Sequence, residues 1–282
     1  MDGVLLINKP IDYTSRDIVN ILGKKFKTKK AGHTGTLDPF ASGLLVLTFG
    51  KATKISTFLE ATKKTYIAEL TLGITTDTLD LTGNIIEQKE VIMPSREKLN
   101  EIFSSFLGEI KQVPPMYSAI KVDGEALYKK ARRGEIIERK ARIVTIHSIN
   151  ILSINNNKII FEVTCSKGTY IRTLGNDIAN LIGCGGHLSL LTRTKVGNFS
   201  LKEAKNIDDV TESDFISISD SLSFMPTIIL DDILEKKALN GVKIYLKNQS
   251  SDLVFLKNKN NSPLAIYEKR DDGYYYSLRG LF

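Results

Sequence analysis

One acidic residue, Asp38, lies in a segment whose residue types could support chemistry. The segment Lys30–Gly43 contains three glycines, a proline and a histidine, and Asp38 is its only carboxylate. Pro39 disfavours helical geometry in the residue before it, and glycines permit turns and close approaches that side chains would prevent. We therefore expect Asp38 on an extended loop, where it is either part of a structural turn or the chemical centre of a site.

Basic residues surround this segment. The run Lys24–Lys30 contains five lysines in seven residues, and Lys51 and Lys54 follow downstream. A second zone, Lys121–Arg142, contains eight basic and four acidic residues. Such zones are either solvated surface or contacts to phosphate groups. The net charge of +7 and the pI near 9.1 favour a polyanionic partner without identifying it.

Other common chemistries find little support in the sequence. The acid pair Asp77 and Asp80 lacks a third acid or a histidine at ligand spacing, so no metal site is expected there. The two cysteines are too few for a disulfide framework or a cysteine-rich zinc site, and phosphate-binding glycine motifs are absent. The histidines and cysteines are His33, His147, His187, Cys165 and Cys184.

What remains is an acid, an arginine that follows a glycine turn, two tyrosines and a histidine: Asp38, Arg172, Tyr66, Tyr170 and His33. Such a set can stack on a planar base, keep a carboxylate ionised beside a guanidinium group, and act on a sugar–base bond. A guanidinium group can hold the carboxylate bidentately, so this geometry is expected for Arg172. Composition and spacing do not identify the reaction.

The elements that must position these residues follow from apolar patterns. The continuous apolar run Leu44–Phe49, directly after the Asp38 loop, predicts a strand buried on both faces. The alternating segment Lys64–Leu72 predicts a strand that carries Tyr66. Helices are predicted after the cap at Thr14 and over Tyr170–Leu181. The segment from Gly73 to Gly83 is expected to be a loop, and a hairpin is predicted across Asn155–Asn157.

These signals favour an α+β fold with a mixed, largely antiparallel sheet, because repeated βαβ units are absent. Residues 1–225 are expected to form the main domain. Residues 226–282 are expected to form a small β-rich domain that packs on the main domain. Its predicted strands are Lys243–Leu246, Asp252–Lys257, Pro263–Tyr267 and Tyr274–Leu278. Neither a signal peptide nor an apolar run long enough for a membrane span is evident, so a cytoplasmic protein without membrane association is expected.

Five stretches, in order along the chain, resemble motifs of the TruB family of tRNA pseudouridine synthases. The most specific is the pattern G-H-T-G-T-L-D-P-x-A-x-G around Asp38, in which Phe40 and Ser42 stand where the family usually has Leu and Thr. The others are Leu5–Pro10, Lys64–Asp80, Gln112–Arg132 and Lys167–Gly197. The C-terminal segment resembles a PUA-like RNA-binding domain.

The resemblance implies roles for individual residues. Asp38 would be the nucleophile, Arg172 the arginine that pairs with it, and Tyr66 the tyrosine that stacks on the base and takes the C5 proton. The residues that would line the flipped nucleotide or support the site from below are His33, Tyr170, Leu191 and Lys9. A thumb-like insertion that grips RNA is implied at about residues 108–142.

The implied reaction isomerises the T-loop uridine at position 55 of tRNA to pseudouridine by base flipping. It requires neither a cofactor nor a metal, and the resemblance implies a monomer whose partner is the tRNA T-arm. Two alternatives stay open at this point: an RNA-binding or RNA-chaperone protein without catalysis, and a glycosylase with an aspartate nucleophile that releases the base.

Overall fold

The structure is a computed structural model that describes all 282 residues. The strands are β1 Gly3–Lys9, β2 Ala31–His33, β3 Ser42–Phe49, β4 Lys64–Leu72, β5 Ile74–Thr76, β6 Ile85–Gln88, β7 Gly108–Gln112, β8 Lys121–Val122, β9 Glu125–Ala126, β10 Arg142–Asn155, β11 Lys158–Cys165, β12 Gly186–Val196, β13 Phe199–Ser200, β14 Thr227–Ile229, β15 Leu253–Lys257, β16 Pro263–Lys269 and β17 Tyr275–Gly280. The α-helices are α1 Ser15–Lys25, α2 Ser56–Glu60, α3 Arg96–Ser104, α4 Leu127–Arg132, α5 Ile171–Ile182, α6 Ile218–Ser221 and α7 Asp232–Leu239.

The main sheet contains nine strands, with β1, β3, β12, β4, β11, β10 and β7 side by side in that order and β2 and β13 attached to β3 and β12. Only the contact between β3 and β12 is parallel, while the other pairs in this sheet are antiparallel. The predicted α+β class with a mixed, largely antiparallel sheet is confirmed. In the sequence, the long strands β3 and β4 follow one another. In the sheet, β12, which comes much later in the chain, lies between them.

The interior of this sheet follows from the apolar runs of its strands. Seven of the eight residues of β3 are buried, as its continuous apolar sequence predicts for a strand covered on both faces. A cluster of 32 buried apolar residues joins the sheet to α1, α3 and α5. Thr14 and Asp17 form a capping box that starts α1, and Gly183, with φ of 103°, ends α5 in the left-handed conformation. The two helices next to the Asp38 loop are therefore fixed at defined ends.

A second sheet of four strands, β14 to β17, occupies the C-terminal part of the chain. It has its own cluster of ten buried residues. Phe255 and Ile266 of this sheet belong instead to a cluster of 14 buried residues that includes Val4 and Leu6 of β1. The predicted strand Lys243–Leu246 is wrong, because that segment makes only one isolated bridge, from Ile244 to Tyr275. The helix α7 was not predicted.

One predicted loop is partly a hairpin. Within Gly73–Gly83, residues Ile74–Thr76 form β5 and pair with β6. All four residues of β6 are exposed, so no buried face marks this strand in the sequence pattern. None of the helices combines the length and the apolar character that crossing a membrane requires.

Candidate active site

The loop that carries Asp38 connects β2 to β3, and α1 holds it from one side. The backbone N–H of Leu37 donates a hydrogen bond of 2.8 Å to the Ser15 hydroxyl, which donates in turn to the Leu37 carbonyl at 3.2 Å. On the other side of Asp38, the Pro39 carbonyl accepts a 2.8 Å bond from the N–H of Asp12. Both neighbours of the acid are thus anchored, so the carboxylate has a defined position although its loop is irregular.

Arg172, in the first turn of α5, contacts this carboxylate. Its Nε lies 2.9 Å from Oδ2 of Asp38, and its side chain is 4% exposed against 35% for Asp38. Nη1 lies 3.3 Å from Oδ2 of Asp80 and donates to the Thr78 carbonyl at 2.8 Å, while Nη2 donates to the Tyr117 carbonyl at 2.7 Å. The expected bidentate pairing is therefore wrong: one nitrogen faces Asp38, and the others are held by three different groups.

Asp80 is the second carboxylate of the site and is almost fully buried. Besides Arg172, its Oδ1 accepts hydrogen bonds from the Thr78 hydroxyl at 2.8 Å and from the Thr82 hydroxyl at 2.6 Å. Asp77, in contrast, accepts from the backbone and side chain of Asn84 at the edge of the loop. The two acids of the D-x-x-D pattern therefore have different surroundings, and one of them balances the charge of Arg172.

The charges around Asp38 act in opposite directions on its pKa. Burial raises the pKa of Asp38, and the neighbouring Asp80 adds to this rise, while Arg172 and Lys9 oppose it. The positive charge of the Arg172 guanidinium group favours the ionised carboxylate that a nucleophile requires.

Lys9 lies beneath the loop and does not face the cleft. It is fully buried, and its ammonium group donates to the carbonyls of Pro10 at 2.8 Å, Tyr13 at 2.7 Å and Pro39 at 3.5 Å. Burial lowers the pKa of Lys9 to about 8, although the charge of Asp38 raises it. This placement agrees with the supporting position that the sequence resemblance implies for Lys9.

Five of the seven predicted site residues line one pocket of about 230 Å³. They are Asp38, Tyr66, Tyr170, Arg172 and Leu191. Tyr66 comes from β4 and Leu191 from the adjacent β12, while Tyr170 immediately precedes α5 and is fixed by two backbone hydrogen bonds to the side chain of Gln112. Burial raises the pKa of Tyr66, and the charge of Arg193 opposes this effect. The pocket joins an acid, a cation and aromatic rings.

His33 lies in the neighbouring part of the cleft. This second cavity measures about 680 Å³, and Asp38 and Arg172 line it as well as the smaller pocket. Tyr128 and Arg132 of α4 line the second cavity too. Burial lowers the pKa of His33, whose Nδ1 has no hydrogen-bond partner. Asp38 and Arg172 therefore stand where a small pocket opens into a wide, partly basic cleft.

Three contributors to the site have no individual role predicted from the sequence. Asp80 lies in the resembling stretch Lys64–Asp80 and was otherwise considered as a metal ligand, and Tyr117 lies in the resembling stretch Gln112–Arg132 beside a basic zone. Arg193 lies in the resembling stretch Lys167–Gly197 without an implied role of its own, although an arginine that follows several leucines is itself a signal of a polar contact in the core. Their contacts cross between distant parts of the chain, which spacing alone does not reveal.

The segment 108–142 contributes fewer free cations than its composition suggests. Arg133 forms ion pairs with Glu125 and Glu135, and Lys130 lies 3.7 Å from Asp123. Arg132 lies over the Tyr128 ring at 5.6 Å. The cations of this segment that form no ion pair are Lys111, Lys121, Lys129, Arg132, Arg139, Lys140 and Arg142.

Two sequence families match consecutive parts of the chain. The family described as "TruB family pseudouridylate synthase (N terminal domain)" matches residues 23–171, and the one described as "tRNA pseudouridylate synthase B C-terminal domain" matches residues 172–230. The first match alone covers more than half of the chain and includes the Asp38 loop, Tyr66 and Tyr170.

Similar curated proteins bear the name tRNA pseudouridine synthase B. The protein from Alkaliphilus oremlandii is 49% identical over 250 residues, which are 87% of this chain and 83% of that protein. The protein from Oceanobacillus iheyensis is 42% identical over 285 residues, covering 95% of this chain and 93% of the relative. The protein from Burkholderia mallei is 43% identical over 253 residues, covering 87% and 83% respectively.

Solved structures share the fold. A chain in a structure of an H/ACA RNP bound to a substrate RNA containing 2′-deoxyuridine superposes with a TM-score of 0.74 and 21% identity, covering 99% of this chain and 85% of that one. A chain of a Cbf5-Nop10-Gar1 complex gives a TM-score of 0.73 with 25% identity, covering 95% and 78%. The likeness extends along nearly the whole chain.

Proposed function

Since this chain belongs to the TruB family of pseudouridylate synthases and is a tRNA pseudouridine synthase, we propose that it isomerises uridine 55 in the T-loop of tRNA and that Asp38 is its nucleophile. The observation that carries this proposal is the ion pair between Asp38 and Arg172 at the mouth of the smaller pocket. An enzyme that acts on a base must take that base out of the helix stack, and a small pocket beside a wide, partly basic cleft suits a flipped nucleotide.

In the proposed reaction, the flipped uracil enters the smaller pocket between Tyr66 and Leu191. The carboxylate of Asp38 attacks the base or the ribose, and the bond between N1 of the base and C1′ of the ribose breaks. The uracil rotates, a bond forms between C5 and C1′, and the bond between Asp38 and the substrate breaks, which restores the carboxylate. C5 loses its proton and N1 gains one. The product has the mass of the substrate, so no oxidant, reductant or water is consumed.

Arg172 serves this chemistry by keeping Asp38 charged in a site that the nucleotide closes. Without the guanidinium group, the loss of solvent would raise the pKa of the Asp38 carboxyl further and favour its protonated form. Asp80, Thr78 and Tyr117 in turn prevent Arg172 from turning toward a phosphate. Preorganised charge of this kind requires no rearrangement when the bond breaks.

Tyr66 is proposed to stack on the base and to accept the C5 proton. Because burial raises its pKa, the phenol is neutral before the reaction and offers an uncharged aromatic face. Tyr66 can accept the C5 proton only after it has released its phenolic proton, and the Arg193 charge, which lowers this pKa, favours the phenolate that is needed. His33 and Tyr170 are proposed to contact the flipped nucleotide or its neighbours.

The wider cleft and the basic zones are proposed to bind the T-arm. Lys29 and Lys30 are exposed and form no ion pair, so they are free to meet phosphate groups. We also infer that residues 226–282 act as a PUA-like RNA-binding domain and residues 1–225 as the catalytic domain. A monomer located in the cytoplasm completes the proposal.

The deciding experiment replaces Asp38 by Asn in the full chain. The change keeps the size of the side chain and removes its charge, so we expect folding and tRNA binding to persist without pseudouridine formation. Unmodified tRNA transcript is incubated with each enzyme, and pseudouridine is mapped after carbodiimide treatment. Pseudouridine at position 55 with wild type and none with Asp38→Asn supports the proposal. Turnover by Asp38→Asn near the wild-type rate, or wild-type modification elsewhere, contradicts it.

A further inference from the structure

A second buried arginine, Arg193 of β12, lines the smaller pocket and is only 2% exposed. Its guanidinium group donates three hydrogen bonds, all to backbone carbonyls. Nε donates to Leu44 at 2.8 Å, Nη1 to Thr36 at 3.3 Å and Nη2 to Gly35 at 3.1 Å. The side chain therefore contacts the main chain of a different strand and of an irregular loop.

These carbonyls lie on both sides of Asp38 in the sequence. Residues 34–37 form the entering limb of the Asp38 loop. We define its leaving limb as residues 39–44, which are the end of the loop and the first three residues of β3. Arg193 donates twice to the entering limb and once to the leaving limb. The other side chains that hold the loop each bind one limb: Ser15 binds the entering limb, whereas Lys9 and Thr192 bind the leaving limb. Arg193 is thus the side chain that ties the two limbs together.

The charge of Arg193 has no acidic partner. None of the ion pairs of the chain includes it. Burying a cation without a carboxylate costs free energy that only good hydrogen bonds can offset. The three hydrogen bonds to carbonyl oxygens offset this cost here. A neutral aliphatic residue in place of Arg193 would not donate these three hydrogen bonds. The stabilisation that Arg193 offers is therefore concentrated on the Asp38 loop.

The backbone of Arg193 also meets the end of this loop. The parallel contact between β12 and β3 consists of Thr192 opposite Ser42 and Arg193 opposite Gly43. Gly43 has φ of 102°, and a Cβ built there would lie 2.9 Å from the backbone nitrogen of Arg193. On its other side, Arg193 stands opposite Tyr66 of β4. One residue consequently holds the loop that carries Asp38 and stands opposite Tyr66 in the sheet.

We propose that Arg193 is a positioning residue of the isomerisation: it clamps both limbs of the Asp38 loop and fixes the carboxylate relative to Tyr66 and to the base in the smaller pocket. This inference rests on the proposed role of Asp38. A displacement of about 1 Å at a reacting group can lower a rate by roughly 100-fold. Loss of the clamp therefore affects the chemical step more than the binding of tRNA.

The test compares Arg193→Lys and Arg193→Gln with wild type and with Asp38→Asn. Lysine keeps the charge and loses the fork, while glutamine keeps a planar donor group and loses the charge. Arg96→Lys is the matched control, because Arg96 also donates to a carbonyl, that of Ile151, at 2.8 Å and lies on α3 outside both cavities. Single-turnover rate, tRNA dissociation constant, melting temperature and amide hydrogen exchange are measured for each protein.

We expect both Arg193 variants to react at least about 100-fold more slowly at saturating enzyme, with dissociation constants within about threefold of wild type. Amide exchange should accelerate in residues 34–44 and stay unchanged in α3 and in the C-terminal sheet, and Arg96→Lys should match wild type. These results support a role in positioning.

Three outcomes overturn the proposal. A folded Arg193→Lys variant with a normal rate shows that the clamp is dispensable. A slow variant with faster exchange throughout the chain, or failure of both variants to fold, makes Arg193 a structural residue. Asp38→Asn separates this inference from the proposed function: if Asp38→Asn is active, the nucleophile assignment fails, whereas if it is inactive and Arg193→Lys is normal, only the clamp fails.

Discussion

The cleft around Asp38 and the surface of the C-terminal sheet both combine cations with tyrosines, but the two regions hold them differently. In the cleft, Arg172 and Arg193 are at most 4% exposed, and backbone carbonyls and carboxylates fix them. On the C-terminal sheet, the exposed Lys243 and Arg270 lie 4.4 Å from the ring centres of Tyr274 and Tyr276. Both regions therefore contain positively charged side chains, but these are buried in the cleft and exposed on the C-terminal sheet.

Burial decides what each cation can do. A charge in a poorly solvated pocket changes the protonation and the orientation of its neighbours, because water does not screen it. An exposed charge is screened and is free to move, so it contributes mainly to the affinity for a charged partner. We therefore expect substitutions in the cleft to change the rate and substitutions on the surface to change binding.

The largest effect that tests this division is expected from Arg172→Lys. A lysine ammonium group cannot reach Asp38, Asp80 and two carbonyls together, so the carboxylate should lose its charged neighbour or its orientation. The single-turnover rate should fall by roughly 100-fold or more, while tRNA affinity changes by less than tenfold, about 1.4 kcal/mol. Filter binding beside single-turnover kinetics measures both. A normal rate with weakened binding would place Arg172 among the phosphate contacts and break the comparison.

A smaller effect, of opposite type, is expected from the double change Lys29→Ala and Lys30→Ala. Each phosphate contact that is lost should flatten the plot of log affinity against log salt by about 0.7 to 0.9 units, and the rate at saturating enzyme should stay normal. The control replaces Lys98 and Lys202, two exposed lysines outside the basic zones. An unaltered salt slope would mean that Lys29 and Lys30 only face solvent.

The smallest effect is expected from Lys243→Ala combined with Arg270→Ala. Both cations are exposed, and Lys243 already has an acidic neighbour, Asp272, at 3.4 Å. We expect tRNA affinity to fall about threefold and the single-turnover rate to stay unchanged, as measured by the same two assays. If the single-turnover rate of this double variant fell as far as that of Arg172→Lys, the C-terminal sheet would be coupled to the cleft, and the division by burial would be too simple.

The sequence predicted the elements best where burial leaves a strong pattern. The apolar run Leu44–Phe49 could only be a covered strand, and Tyr170–Leu181 carried a clear helical period and a glycine stop. The C-terminal region was harder, because its elements are short and half-exposed. The helix α7 was missed although Asp231 caps it by accepting bonds from two backbone N–H groups, which is a signal the sequence does contain.

The candidate site was predictable as a set of residues and less so as a geometry. The family motifs around Asp38 and Arg172 imply that these two residues pair, and Nε of Arg172 does lie 2.9 Å from Oδ2 of Asp38. The sequence did not predict that only one nitrogen of Arg172 would contact Asp38. Asp80, Thr78 and Tyr117 compete for the same guanidinium group only after the chain has folded. Hydrogen-bond competition is a property of three-dimensional surroundings, and linear spacing does not record it.

The position of β12 between β3 and β4 has a consequence for biosynthesis. A nascent chain that ends before residue 186 contains β1 and β3 with Asp38, and also β4, β11 and β10 with Tyr66, but it lacks the strand that joins these two half-sheets. The ribosome must therefore deliver about two thirds of the polypeptide before the two halves can unite. Until then the facing edges of β3 and β4 remain open to pairing with other strands, and the enzyme gains its reactive centre only late in its own synthesis.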